Sequence, residues 1–120
     1  MTDIEADEVA RRLGEVAVID VRSAHEYDGS LGAPCDPRQG HIPGALNLDV
    51  QELVLLTDDE VRDRLGLPPG AEVVAYCHSG SRSAMAVQIL RALGYDARNY
   101  SGSWHEWSRT EYPLETEGRH

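Results

Sequence analysis

Along this chain the apolar residues fall into short runs separated by polar, glycine-rich segments. Val16–Val21, "VAVIDV", is a run rich in β-branched residues and predicts a buried strand. Glu72–Cys77 predicts a second strand of the same kind, and Ala45–Leu48 a shorter one behind the breakers of "GHIPG". Ala97–Tyr100 is a weaker strand entered after Gly94, and Thr2–Ile4 a candidate edge strand. Helical spacing occupies the intervals. Ala6–Leu13, Val50–Leu56 and Asp58–Leu65 each place apolar residues on one side. Arg82–Leu93 does so over the longest stretch, with Met85, Ala86, Ile89, Leu90 and Leu93 on its apolar side and Gly94 as a stop signal. Strands alternating with helices predict an α/β domain with a mostly parallel sheet.

In such sheets ligands bind beyond the carboxyl ends of the strands. The "AYC" run brings Cys77 to one of those ends, followed by "HSGSRS" and a helix. A thiol beside a helix N-terminus or a cation is more acidic than free cysteine. The amides of residues 78–83 could form a nest around the sulfur, with Gly80 free to adopt positive φ. The helix dipole and Arg82 would add positive potential. Against this stands a plain reading, in which Cys77 is a small buried apolar residue. The glycine, the serines Ser79, Ser81 and Ser83, the arginine and the helix together favour a nucleophile.

Composition narrows the chemistry. The chain has 120 residues, enough for one core, and its apolar fraction of 41% is that of a water-soluble domain. No run reaches the roughly 18 apolar residues of a membrane span. The acidic N-terminus lacks the features of a signal peptide, so a cytoplasmic protein is expected. All 11 basic residues are arginine, which removes Schiff-base lysine and P-loop chemistry. The net charge of −10 argues against nucleic acid and obliges any anionic substrate to find a local positive field. The two cysteines, Cys35 and Cys77, make no disulfide framework and no CxxC, and no His/Cys cluster has zinc spacing. Neither a metal nor a cofactor is expected.

Four segments in order then carry a family resemblance. "CHSGSRS" resembles the active-site loop of the rhodanese sulfurtransferases, "VIDVRSAHEY" their Asp-x-Arg strand end, "GHIPGALNL" their Gly-His-Ile-Pro-Gly-Ala segment, and "YSGSWHEW" their closing Gly-Ser-x-x-x-Trp segment. The likeness covers residues 2 to 109 and implies a single rhodanese domain over residues 1–120. It implies a five-stranded, mostly parallel sheet with helices on both faces. It also implies a thiosulfate sulfurtransferase in which Cys77 takes sulfane sulfur from a small anionic donor as a persulfide. The sulfur then passes to cyanide or a thiol, and a protein persulfide donor is a further candidate partner.

Three alternatives are weighed against this. Phosphatases and arsenate reductases of the same fold resemble the loop, but carry Cys-x5-Arg. The spacing here is Cys-x4-Arg, a tighter ring suited to one sulfur atom. A persulfide carrier module with little activity on small donors is the third reading. The link "YDGSLGAPCDPRQGHIPGA" most resembles the catalytic C-terminal half of tandem thiosulfate and mercaptopyruvate enzymes. Where the mercaptopyruvate enzymes carry an arginine this chain has Asp28, which favours thiosulfate or a persulfide donor.

The supporting residues admit two roles each. Arg22 contacts substrate, is held by Asp20 or Glu26 as a brace at the helix start, or does both, and Asp20 is expected to be structural. Cys35 is either a resolving thiol for Cys77 or a loop cysteine without a role. His78 either tunes the donor site or faces solvent. His41 is expected to anchor its turn, and Trp104 and Trp107, at i and i+3 on a short helix, to pack in the core or at the pocket rim.

Overall fold

The computed structural model describes residues 3–116. In chain order the elements are α1 (Ala6–Arg11), β1 (Ala17–Asp20), α2 (Ala24–Tyr27), β2 (Leu46–Asn47), α3 (Val50–Leu53), α4 (Asp58–Leu65), β3 (Glu72–Tyr76), α5 (Ser81–Ala92), β4 (Asp96–Asn99) and α6 (Ser103–Trp107). The strands form one parallel sheet in the order β2-β1-β3-β4. The expected fifth strand is reduced to a bridge: Asp3 pairs in parallel with Asn99, and the Ile4 N–H donates to the Asn99 carbonyl at 3.0 Å. Thr2 lies outside the described residues. Among the described residues the sheet is therefore four-stranded where five were expected, and α1, beginning at Ala6, ends the edge pairing on its C-terminal side.

Alternation along each strand divides the core in two. Ile19, Val73, Ala75 and Ala97 face one side, where they pack against Val50 and Leu53 of α3, Val61 and Leu65 of α4, and Ala86, Val87 and Leu90 of α5. Val18, Val74 and Tyr76 face the other, against Val9 of α1, Tyr27 of α2 and Trp104 and Trp107 of α6. Both tryptophans are fully buried, which makes them core residues. Helices thus cover both faces, as expected.

Local chemistry explains the helix starts. Ser23 with Glu26 and Thr57 with Glu60 form reciprocal capping boxes on α2 and α4, and Asp49 caps α3. Within α5 the buried stripe is Ser83, Ala86, Val87 and Leu90. Met85 was expected on that side but is 53% exposed, because at 100° per residue it sits opposite the Ser83–Ala86–Leu90 line. Among the described residues no helix is long and apolar enough to cross a membrane.

Candidate active site

Register places the site. Asp20 of β1 lies beside Tyr76 of β3, so both strands end at the level where the chain turns into Cys77. Cys77 is completely buried. Its sulfur accepts from the Gly80 N–H at 3.1 Å, the Ser83 N–H at 3.4 Å and the Ser83 Oγ at 3.4 Å. Burial alone would push the thiol pKa up. The Ser83 hydroxyl and amide, with the Gly80 and Ser79 amides, outweigh it and hold the pKa below the ordinary thiol value.

The curl of this loop depends on Gly80, whose φ of 99° is left-handed and whose added Cβ would stand 2.7 Å from the Ser101 carbonyl oxygen. Asn99 braces the same donors. The Ser83 hydroxyl has one proton, shared between the Cys77 sulfur at 3.4 Å and Asn99 Oδ1 at 2.7 Å, and Asn99 Nδ2 donates to the Gly80 carbonyl at 3.3 Å. The "YSGSWHEW" segment clamps the loop from behind. The Cys77 N–H donates to Ser103 Oγ at 3.1 Å, the Trp104 N–H to the Cys77 carbonyl and the His105 N–H to the His78 carbonyl, both at 2.9 Å. Ser103 holds this position at a φ of 55°, unusual for a residue with a Cβ.

Arg82, the cation of the loop, is bound elsewhere. Its Nη1 and Nη2 donate to the two Glu26 carboxylate oxygens at 3.0 and 3.2 Å. Despite partial burial, which acts the other way, the Arg82 and Ser23 contacts keep Glu26 below the usual carboxylate range.

Arg22 is held in place by Asp20 and Gly40. It is 1% exposed and donates to Asp20 at 2.7 to 3.1 Å and to the Gly40 carbonyl at 2.6 Å. Its guanidinium carbon lies 5.1 Å from the Trp104 ring centre and 5.6 Å from that of Tyr76. Asp20 is equally buried and also accepts from Tyr76 Oη at 2.8 Å. His41 anchors its turn: it stacks on Tyr27, its Nδ1 lies 2.7 Å from the Tyr27 carbonyl, and its backbone pairs with Glu115.

Compared with known proteins, residues 5–110 match the Rhodanese-like domain family. The chain belongs to this family. The rhodanese-like domain is 36% identical to the thiosulfate sulfurtransferase of Azotobacter vinelandii, over 91% of this chain and 44% of that protein. The Corynebacterium glutamicum protein of the same name is 37% identical, over 86% of this chain and 39% of its own length. The domain therefore spans less than half the length of these curated relatives. A crystal structure of a probable thiosulfate sulfurtransferase superposes with a TM-score of 0.84 at 46% identity, covering 95% of this chain and 47% of that one. A human single-domain sulfurtransferase superposes at 0.69 with 31% identity, covering 92% and 98%.

Of the residues expected at the site, Cys77, Gly80 and Ser83 meet at the sulfur, Arg82 pairs with Glu26 while still feeling the Cys77 charge, and Asp20 and Arg22 are buried. Ser79 and Ser81 are exposed. Cys35 and Cys77 are both free thiols. Asn99, Ser103 and Asp36 were not singled out from sequence. A polar side chain at the buried end of a strand was the available signal for Asn99, and a small hydroxyl residue directly before a tryptophan for Ser103. Asp36 carried no signal, since its partners His78 and His105 are distant in the chain.

Proposed function

We propose that this rhodanese domain, acting as one unit over residues 1–120, transfers sulfane sulfur through a persulfide on Cys77. The observation that carries the reading is the convergence of three hydrogen-bond donors on one buried sulfur at the start of α5. The lowered thiol pKa raises the fraction of Cys77 present as the reactive thiolate. That thiolate attacks the outer sulfur of thiosulfate or a related small anionic donor. A new S–S bond forms, the donor's S–S bond breaks, and sulfite leaves with the electron pair. The terminal persulfide sulfur carries the negative charge inside the same amide nest. Cyanide or a thiolate acceptor then attacks that outer sulfur, and the Cys77 thiolate is regenerated. No metal or organic cofactor takes part in either step. A protein persulfide could serve as donor by the same exchange, and a reducing compartment such as the cytoplasm keeps both cysteines as thiols.

The ring length supports sulfur over phosphate. Four residues separate Cys77 from Arg82, and Arg82 is engaged by Glu26 rather than free to clamp a tetrahedral oxyanion. Intact-mass spectrometry after incubation with thiosulfate tests the reading. One added sulfur atom is expected on the native chain and none on Cys77→Ser. Absence of the adduct overturns the thiosulfate step, and turnover of phosphate esters without sulfur loading overturns sulfur transfer altogether.

A further inference from the structure

Next to the Cys77 loop, three distant segments bring four metal-binding side chains together. The donor atoms of Cys35, Asp36, His78 and His105 all lie within 4.8 Å of one another. The segment bearing Cys35 and Asp36 is fastened to the end of α6. Arg38 donates to the carbonyls of Trp107, Ser108, Thr110 and Tyr112, and Trp104 Nε1 donates back to the Arg38 carbonyl. The backbone bond from His105 to His78 supplies the other two ligands. Spacing in the sequence conceals this cluster, because its members become neighbours through the fold.

A second observation points to a ligand. The Asp36 side chain is 0% exposed, yet its Oδ2 completes no hydrogen bond, and neither does the buried His78 Nε2. These two atoms stand 3.0 Å apart without hydrogen-bond geometry. Leaving two polar atoms unsatisfied costs free energy that a shared cation would remove. His105 Nδ1 lies 3.5 Å from Asp36 Oδ1, and the Cys35 sulfur 3.8 Å from the same oxygen. Ligands at zinc–nitrogen, –oxygen and –sulfur bond lengths in a tetrahedron are separated by about 3.3 to 3.7 Å, so donor atoms lying within 4.8 Å of one another have to draw together by up to about 1 Å to close on one ion.

We propose that Cys35, Asp36, His78 and His105 form a binding site for a divalent transition ion of the zinc class. One thiolate, two imidazoles and one carboxylate suit zinc or cobalt(II) better than magnesium or calcium. Binding releases the Cys35 proton and takes both histidines as neutral bases. Arg109 sits behind the ligands. Its Nη1 donates to Asp36 Oδ1 at 2.9 Å and lies 3.3 Å from His105 Nδ1, and its Nη2 donates to the Cys35 carbonyl at 2.8 Å. The ion takes Asp36 Oδ2 and His105 Nδ1, and Arg109, 39% exposed, keeps Oδ1 and turns away from the imidazole. Because His78 directly follows Cys77, an ion here fixes the first residue of the sulfur loop. The inference is independent of the sulfur-transfer reading.

The test is cobalt(II) absorption and zinc competition against a chromophoric chelator. It uses the full chain carrying Cys77→Ser, which removes the other thiol. One ion per chain is expected, with a thiolate-to-cobalt band in the near ultraviolet. Adding Cys35→Ser should abolish that band. Both Cys35→Ser and His105→Ala should weaken zinc binding at least ~10-fold, the usual loss when a metal site is damaged. Cys35 is an exposed residue and the His105 side chain is 52% exposed, so both variants keep the fold, which a thermal melt checks. Binding unaffected by either substitution overturns the site, as does binding that Cys77→Ser alone abolishes. Absence of binding by the Cys77→Ser chain overturns it equally.

Discussion

Arg82 and Glu26 form a two-pronged ion pair, with Nη1 and Nη2 at 3.0 and 3.2 Å from the carboxylate oxygens. The cation of the sulfur loop is thus neutralised by α2, and the hydrogen bonds on Cys77 come from amides and a hydroxyl. Glu26 also closes the capping box of α2 with Ser23, so the start of that helix and the field near the loop are coupled through one carboxylate.

Charge substitutions separate these roles. Arg82→Ala leaves Glu26 unpaired beside the loop and should slow sulfur loading from thiosulfate by about 10-fold, equivalent to ~1.4 kcal/mol. Glu26→Gln keeps a capping-box side chain while removing the negative charge, and should raise the loading rate. In the double variant the Arg82→Ala penalty should shrink, because the repelling carboxylate is gone. Stopped-flow loading of the three variants measures the coupling, and equal penalties in both backgrounds would show that Glu26 has no electrostatic influence.

Ser83 sets the thiol. Its hydroxyl and amide are two of the contacts that outweigh burial and lower the Cys77 pKa. The thiolate is therefore populated below the pH at which free cysteine ionises, and loading should rise with pH through that lowered value and then level off. The linkage to stability has the same sign. The contribution of this group is complete above the unfolded thiol pKa and is lost as pH falls through the folded one. Ser83→Ala should move the pH profile of iodoacetamide alkylation upward and slow alkylation at neutral pH several-fold. Asn99→Ala frees the single Ser83 hydroxyl proton for the sulfur and should shift the profile the opposite way, downward, and unmoved profiles would refute both assignments.

Much of this was legible from the chain. Alternating runs predicted β1, β3 and β4 to within a residue or two, and Gly94 marked the end of α5, because these signals are local. Cys77, Gly80 and Ser83 are close in sequence, so their convergence on one atom could be read from the loop itself. The partner of Arg82 could not, since Glu26 is 56 residues away and reaches it through sheet order. The same holds for Asp36 with His78. The Asp20–Arg22 pair, two residues apart, was open to the sequence, whereas the 1% exposure of Arg22 is set by the fold. Met85 was misplaced because an apolar residue off the stripe looks the same in sequence as one on it.

The buried Asp20–Arg22 pair should be costly to break from one side. Arg22→Met leaves Asp20, with 0% exposure, holding a charge supported by the Tyr76 hydroxyl and the Arg22 backbone amide. A loss of roughly 3–5 kcal/mol is expected from urea unfolding. Converting Asp20 as well, as Asp20→Asn with Arg22→Met, should recover part of it, because no unpaired charge remains. A double variant as unstable as the single one would place the cost in lost packing of Arg22 between Tyr76 and Trp104.

Gly80 and Gly94 offer a matched comparison. Their φ angles are 99° and 98°, so alanine meets the same backbone strain at both, of order 1–3 kcal/mol. At Gly94 the added Cβ has nothing within 4 Å, and the strain stands alone. At Gly80 the Cβ would lie 2.7 Å from the Ser101 carbonyl oxygen, a backbone atom that cannot swing aside as a side chain would. Gly80→Ala should therefore destabilise more than Gly94→Ala, and the difference isolates the contact between the sulfur loop and the segment behind it. Relief of that contact displaces the Gly80 N–H from the Cys77 sulfur, so Gly80→Ala should also slow alkylation of Cys77, whereas Gly94→Ala should not. Equal unfolding free energies with equal alkylation rates would mean the loop yields without cost, and that Ser101 does not constrain the nest.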